Sequence, residues 1–268
     1  MPVNFSIVTI SFNQADYVKD CIDSVVSQLD PGDQYIVVDP GSTDGSRDII
    51  DSYDRIEKVY ECDSGPADGL NKGFSRAKNE HLYFINSDDL LIEGALDEIR
   101  KVLKKNKEID VFCFSGFLVD KNLRKIRPLR SFTFSSERML KCSTTVFQQG
   151  VVFKRRAFEG VGGFNKSNRT CWDAELLYDM YEKNNRFMDI DVPVALFRYH
   201  NSSITGSALN FLENKANKDR MFFSRYGRYP KYFDRLQMKV NVYRKYFYLK
   251  YTITYLLLKI KATLRRKI

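Results

Sequence analysis

The sequence predicts a three-layer α/β fold on a mostly parallel, Rossmann-like sheet, followed by a helical, basic C-terminal appendage. Three observations carry this. Strand and helix patterns alternate from Phe5 to Ile85. The strand runs are short and continuously apolar, as in sheets covered on both faces. Beyond residue 207 the composition turns basic and aromatic.

In chain order, Phe5–Ile10 is β-rich. Tyr17–Leu29 puts Val18, Ile22, Val25, Val26 and Leu29 on one helical face. Tyr35–Val38 is a buried-strand run, Pro40–Gly45 a turn, and Ser46–Tyr53 a helix. Lys58–Glu61 makes a third strand, Gly69–Asn79 a helix, and His81–Ile85 a fourth strand. This order implies parallel pairing with right-handed crossovers. Helix is then expected over Leu91–Leu103, and strand over Val111–Val119. Ser131–Phe134 and Gln149–Phe153 read as extended. Ala157–Val161 and Asp173–Asn184 read as helical, and Val194–Tyr199 as a last strand. A domain of residues 1–207 and a tail of residues 208–268 follow from the composition change.

The chain has 268 residues, 43% hydrophobic, enough for one large domain and an appendage. Residues 211–268 hold 16 Lys and Arg against 3 Asp and Glu, a balance of +13; the preceding 210 residues sum to about −4. Such a tail fits an anionic partner. Five scattered cysteines exclude a complete disulfide framework and any Cys-x-x-Cys metal site, which suits a reducing compartment. No signal-peptide pattern precedes the first strand. The longest apolar stretch, Tyr251–Leu258, is far short of the roughly 20 residues of a spanning helix. With only His81 and His200 and no Gly-x-Ser-x-Gly elbow, Ser–His–Asp hydrolysis is disfavoured.

Ligands of open parallel sheets bind beyond the carboxyl ends of the strands. Those ends carry Ser11-Phe12-Asn13, Asp39-Pro40-Gly41-Ser42 and Asn86-Ser87-Asp88-Asp89. Adjacent carboxylates after an apolar strand repel each other unless a cation or water neutralises them. Hard divalent cations take such oxygens together with substrate phosphates. The alternative is that Asp88 or Asp89 caps the next helix. Asp39 can accept a hydrogen bond from a base or ribose, or simply organise the turn after it. Asp68 begins a helix with Lys72 one turn on; a capped helix with a solvated lysine explains that pair equally well.

Taken together, these pieces resemble the family-2 glycosyltransferases, which have the A-type glycosyltransferase fold. The matching segments are Ser6–Asn13, Ile36–Ser46, Asp68-Gly69-Leu70-Asn71-Lys72-Gly73 and Asn86–Asp89, within a resemblance that covers residues 3–205. Two positions depart from the family pattern: Asn86 stands where the family often has the first Asp of Asp-x-Asp, and Pro40 where it often has a second Asp. The resemblance implies a nucleotide pocket lined by Thr9, Ser11, Phe12, Asp39, Asp68 and Asp88, with Phe12 stacking on the base or packing in the core. It implies a Mn²⁺ or Mg²⁺ cofactor held by Asp88 and Asp89. His200 either joins the metal, contacts the diphosphate or is structural. Asp173, at the start of its helix, is the expected general base for an inverting transfer, or else only an N-cap. Trp172 is an acceptor-sugar platform or a core residue.

The function expected is transfer of a sugar from a nucleotide donor, a UDP-sugar first, to a glycan or lipid-linked acceptor in surface polysaccharide assembly. The expected location is cytoplasmic, peripheral on the inner face of the plasma membrane. The tail fits membrane contact or packing on the body or a second subunit, and no nucleic-acid motif accompanies its charge. A processive synthase is disfavoured, since no Gln-x-x-Arg-Trp motif is present. The basic triphosphate loop of a nucleotidylyltransferase is also absent near residues 9–16. A non-catalytic nucleotide-sugar-binding or scaffold protein is the alternative from another class.

Overall fold

The computed structural model describes residues 2–131, 134–143, 146–200 and 211–246. Its strands are β1 (Phe5–Ile10), β2 (Gln34–Val38), β3 (Glu57–Val59), β4 (His81–Phe84), β5 (Leu90–Leu91), β6 (Val111–Val119), β7 (Lys125–Leu129), β8 (Val151–Lys154) and β9 (Phe187–Arg198). They form one sheet in the order β3-β2-β1-β4-β8-β6-β9-β5, with β7 on β6. β3, β2, β1 and β4 are parallel, in register from Ser6 opposite Gln34 to Ile10 opposite Val38. β8 runs against both β4 and β6, which restores the first direction in β6 and β9.

The pleat explains the layers. Phe5 and Ile7 of β1 point to one face, where α1 (Val18–Val26), α2 (Ser46–Asp51) and α4 (Ala95–Lys105) bury Val18, Ile22, Ile50, Leu96 and Ile99. Val8 points to the other, packed with Leu70 and Phe74 of α3 (Pro66–Ser75), Phe158 of α6 (Arg155–Glu159) and Leu176 of α7 (Trp172–Glu182). α3 lies close to the sheet because Gly73 has no side chain: a Cβ there would come 2.4 Å from Val8 Cγ1. α5 (Ser136–Leu140), which the sequence pattern does not announce, meets α7 and α8 (Phe211–Tyr226) in a small core of Leu140, Cys171, Tyr178, Met221 and Phe222. α9 (Tyr232–Tyr246) follows.

Two expectations change. The helix expected from Leu91 begins at Ala95, after Gly94 at φ 76°, and Leu90–Leu91 instead pair antiparallel with β9 at Leu196 and Ala195. Neither Asp88 nor Asp89 is therefore a helix cap. Ser131 and Phe134 lie outside any strand, and residues 132–133 between them lie outside the described residues. The boundary at 207/208 and residues 247–268 also lie outside them.

Candidate functional site

The carboxyl ends of β1, β2 and β4 form one rim, and short-range hydrogen bonds lock its loops. The Asn13 amide donates to Ser42 Oγ at 2.8 Å, the Thr43 amide to Asn13 Oδ1 at 3.0 Å, and the Ala15 amide to Asp44 Oδ2 at 2.9 Å. Phe12 stands out from this frame, 58% exposed, so it is not a core residue. The flanking residues are not equally open. Thr9 is fully buried, its hydroxyl 3.0 Å from the Tyr35 hydroxyl. Ser11 is buried, and its hydroxyl has no hydrogen-bond partner among the described residues.

Asp39 is fully buried and follows the turn-organising reading. It accepts from the Gly41 amide at 3.0 Å, the Ser42 amide at 2.8 Å, the Ser42 hydroxyl at 2.5 Å and Arg47 Nε at 3.1 Å. One lone pair remains on Oδ2. Asp68 accepts from the Ser64 amide at 3.0 Å and pairs with Lys166 at 2.6 Å; the Lys166 ammonium, helped by Ser64, holds its carboxyl below the usual range. Lys72 is not simply solvated, since its ammonium donates to the Cys62 carbonyl. Asp63, which sequence reasoning did not single out, joins this patch. Burial pushes its carboxyl up, and the charges of Asp68 and Asp39 add to that.

The structure divides the Asp88–Asp89 pair. Asp88 Oδ2 lies 2.9 Å from His200 Nε2. The His200 ring rests on Tyr17 with centroids 4.6 Å apart, and the Arg198 guanidinium covers Tyr17 at 4.9 Å. Asp89 points inward and is fully buried. Its Oδ1 accepts from the Arg198 amide at 3.0 Å and its Oδ2 from Gln149 Nε2 at 2.8 Å. Burial, then the Asp88 charge, pushes its carboxyl well up. Asp89 is thus a tie between β4, β9 and the turn before β8, and the expectation that it faces a metal is corrected. Among the described residues, no three His, Cys, Asp or Glu side chains group to hold a metal.

Asp173 lies in the first turn of α7. Cys171, not Asp173, occupies the N-cap position, and Asp173 has no side-chain partner among the described residues; burial raises its carboxyl pKa, opposed by hydrogen bonds from the Ala174 amide and its own and by Lys218. Trp172 beside it is 7% exposed and packs with Phe164 and Leu176, because the apolar face of α7 turns it into the core. The acceptor-platform expectation for Trp172 is corrected accordingly. Tyr17, Arg198 and Gln149 were missed in the sequence: their role depends on contacts 60 or more residues apart, as with Arg198 donating to Asp20 at 2.9 Å.

The fold and rim place the chain among the α/β proteins that bind ligands beyond the carboxyl ends of a parallel sheet. The family model described as "Glycosyl transferase family 2" matches residues 6–162, more than half of the chain, and the chain belongs to that family. Bacillus subtilis (strain 168) TuaG, named for teichuronic acid biosynthesis, is 37% identical over 118 residues, which is 42% of this chain and 46% of that protein. The chain thus spans about half the length of that relative. An uncharacterized glycosyltransferase of Rickettsia typhi is 27% identical over 78% of this chain and 68% of its own. Among solved structures, S. aureus TarS 1-349 in complex with UDP-GlcNAc matches with TM-score 0.62 at 17% identity, over 83% of this chain and 71% of that one. The mannosyltransferase PcManGT from Pyrobaculum calidifontis, in complex with GDP-Man and Mn²⁺, also has TM-score 0.62 at 17% identity, over 91% and 70%. These likenesses show the A-type glycosyltransferase fold.

Proposed function

We propose that the chain is a cation-assisted, inverting glycosyltransferase that moves a sugar from a nucleoside-diphosphate donor to an acceptor hydroxyl in surface polysaccharide assembly. The observation that carries this is the Asp88–His200 pair on the rim that also presents Phe12. The named roles of TuaG and of a Bacillus spizizenii poly(ribitol-phosphate) beta-glucosyltransferase, 33% identical over 114 residues, 39% of this chain and 18% of that protein, support the pathway. The UDP-GlcNAc bound to TarS supports a UDP-sugar donor.

One carboxylate oxygen and one imidazole nitrogen suit Mn²⁺ or Mg²⁺ that draws its other ligands from diphosphate and water. The buried Asn86 Oδ1, with no partner among the described residues, adds an acceptor of the same hard type. Asp88 and His200 would hold the cation, which when bound neutralises the leaving diphosphate. Phe12 stacks on the base. Asp173 accepts the proton of the acceptor hydroxyl as that oxygen bonds to the anomeric carbon and the bond to the diphosphate breaks, so the centre inverts. A raised carboxyl pKa makes Asp173 a better base when ionised, and turnover rises as pH passes upward through it.

We assign the catalytic unit to residues 1–207 and a membrane-facing role to the basic tail. No helix among the described residues is long and apolar enough to cross a membrane. Instead α9 exposes Tyr232, Phe233, Leu236 and Val240 at helical spacing, interleaved with Lys231, Arg235 and Lys239. That pattern fits an interfacial lipid contact.

The test is Asp173→Asn, measured with UDP-sugars and Mn²⁺. The variant is expected to keep the thermal shift given by UDP and to lose about 10²–10⁴-fold in nucleoside diphosphate release. Near-normal turnover removes Asp173 from the mechanism; binding without any release by the wild type, with acceptor supplied, favours the scaffold reading.

A further inference from the structure

Asp173 lies where α7 begins, and the N-cap residue does not fix that start. Cys171 occupies the N-cap position with no side-chain hydrogen bond to the helix. The loop before it is held by Asn168, which is fully buried. Asn168 Oδ1 accepts from the Thr170 amide at 3.1 Å, the Cys171 amide at 3.0 Å and Asn217 Nδ2 at 2.8 Å. Its Nδ2 donates to Glu175 Oε2 at 2.6 Å. Glu175 Oε1 accepts from Asn165 Nδ2 at 3.1 Å and from Arg220 Nη2 at 2.8 Å. Asn217 also donates to Thr170 Oγ1 at 3.1 Å. Asn217 and Arg220 are three apart on α8, hence on one face, and both belong to the region beyond the family match at residue 162.

We propose that Asn217 and Arg220 are positioning residues that set the first turn of α7, and through it the carboxylate of Asp173, so that α8 is a working part of the transferase. This rests on the reading of Asp173 as the general base. Asp173 lies between the two points the clasp grips, Cys171 and Glu175. The physical argument is one of satisfaction. A buried carboxylate and a buried amide are stable only where every donor and acceptor is matched. Here the matched set has one geometry, and removing a member frees the loop to choose another. α8 does not need the clasp to stay docked, because Met221 and Phe222 are buried against Leu140, Cys171 and Tyr178. Loss of Asn217 or Arg220 therefore loosens the base without releasing the helix.

The experiment uses the full chain, with Mn²⁺ and whichever UDP- or GDP-sugar it hydrolyses fastest, reading nucleoside diphosphate release with water as acceptor. Asn217→Ala and Arg220→Met are each expected to lower kcat about tenfold or more, with donor KM within about twofold, because small displacements of a catalytic group are costly. Amide exchange over residues 168–175 should quicken in both variants while β1–β4 keep their protection. Wild-type kcat in both variants overturns the proposal, as does a loss carried by donor KM. Full turnover by Asp173→Asn overturns it together with the base assignment; loss in Asp173→Asn with wild-type kcat in both α8 variants overturns the positioning claim alone.

Discussion

The half of the molecule built on β1 to β4 and the half built from β8, β6, β9, α7 and α8 are assembled by different means. In the first, loops are tied within a few residues, Asp39 to Ser42 and Asp44 to Ser46, or to the neighbouring loop 29 or 30 positions away, Asn13 to Ser42 and Thr43. In the second, side chains are held by more distant contacts: Asp89 to Arg198, Asp88 to His200, Asn168 to Asn217. Motifs of local hydrogen bonding leave a compact signature in sequence. Side-chain networks across 49 to 112 positions do not.

Three measurements can break or sharpen this contrast. The largest effect is expected at Trp172 in the second half. If it belongs to the core, Trp172→Ala costs about 3–5 kcal/mol of stability by denaturant unfolding; a loss of acceptor saturation at unchanged stability would return it to the acceptor site. Next come the two neighbours at the junction of the halves. Asp88→Asn should lower turnover about 10²-fold or more, with stability changed by less than about 1 kcal/mol. Asp89→Ala strands the Arg198 amide and the Gln149 side chain and should cost about 1–3 kcal/mol. Equal destabilisation by both would end the division of labour between them.

The smallest effect is at Asp179 in α7, whose carboxyl burial and the nearby Glu175 charge push up to about 6. A carboxyl raised on folding lends stability that is complete below its unfolded pKa and is lost as pH rises through its folded value. Asp179→Asn should therefore raise the melting temperature at pH 7.5 more than at pH 4. A uniform shift at both values would mean that Asp179 is not strained by ionisation.

Much of the architecture is legible before any coordinates. β1 and β6 match their predicted bounds, and β2, β4 and α7 differ by one or two residues. The apolar runs of β1 and β6 are bounded by polar residues, Asn4 and Ser11 around one and Asp110 and Asp120 around the other, and each type of run has one good solution. The exceptions have causes. α4 starts late because Leu90 and Leu91 find an open partner in β9, which no local pattern reveals. β7, four of whose five residues are exposed, carries no hydrophobic signal. In the site, Asp39, Asp68, Asp88, Asp173 and His200 were nameable from strand ends and helix starts; that Asp39 pairs with Arg47, Asp68 with Lys166 and Asp88 with His200 was not, since pairing is a property of the fold.

The sequence by itself determined the layered α/β class, the location of the rim and the family, because periodicity and strand-end chemistry are local properties. It also placed two acids after β4. Only the tertiary structure decided what each does, turning Asp89 inward to Arg198 and Gln149 and setting Asp88 against His200. It likewise buried Trp172 and brought α8 to the start of α7. The reason is that a side chain's direction is settled by which distant surface satisfies its polar atoms, and that surface exists only once the chain has folded.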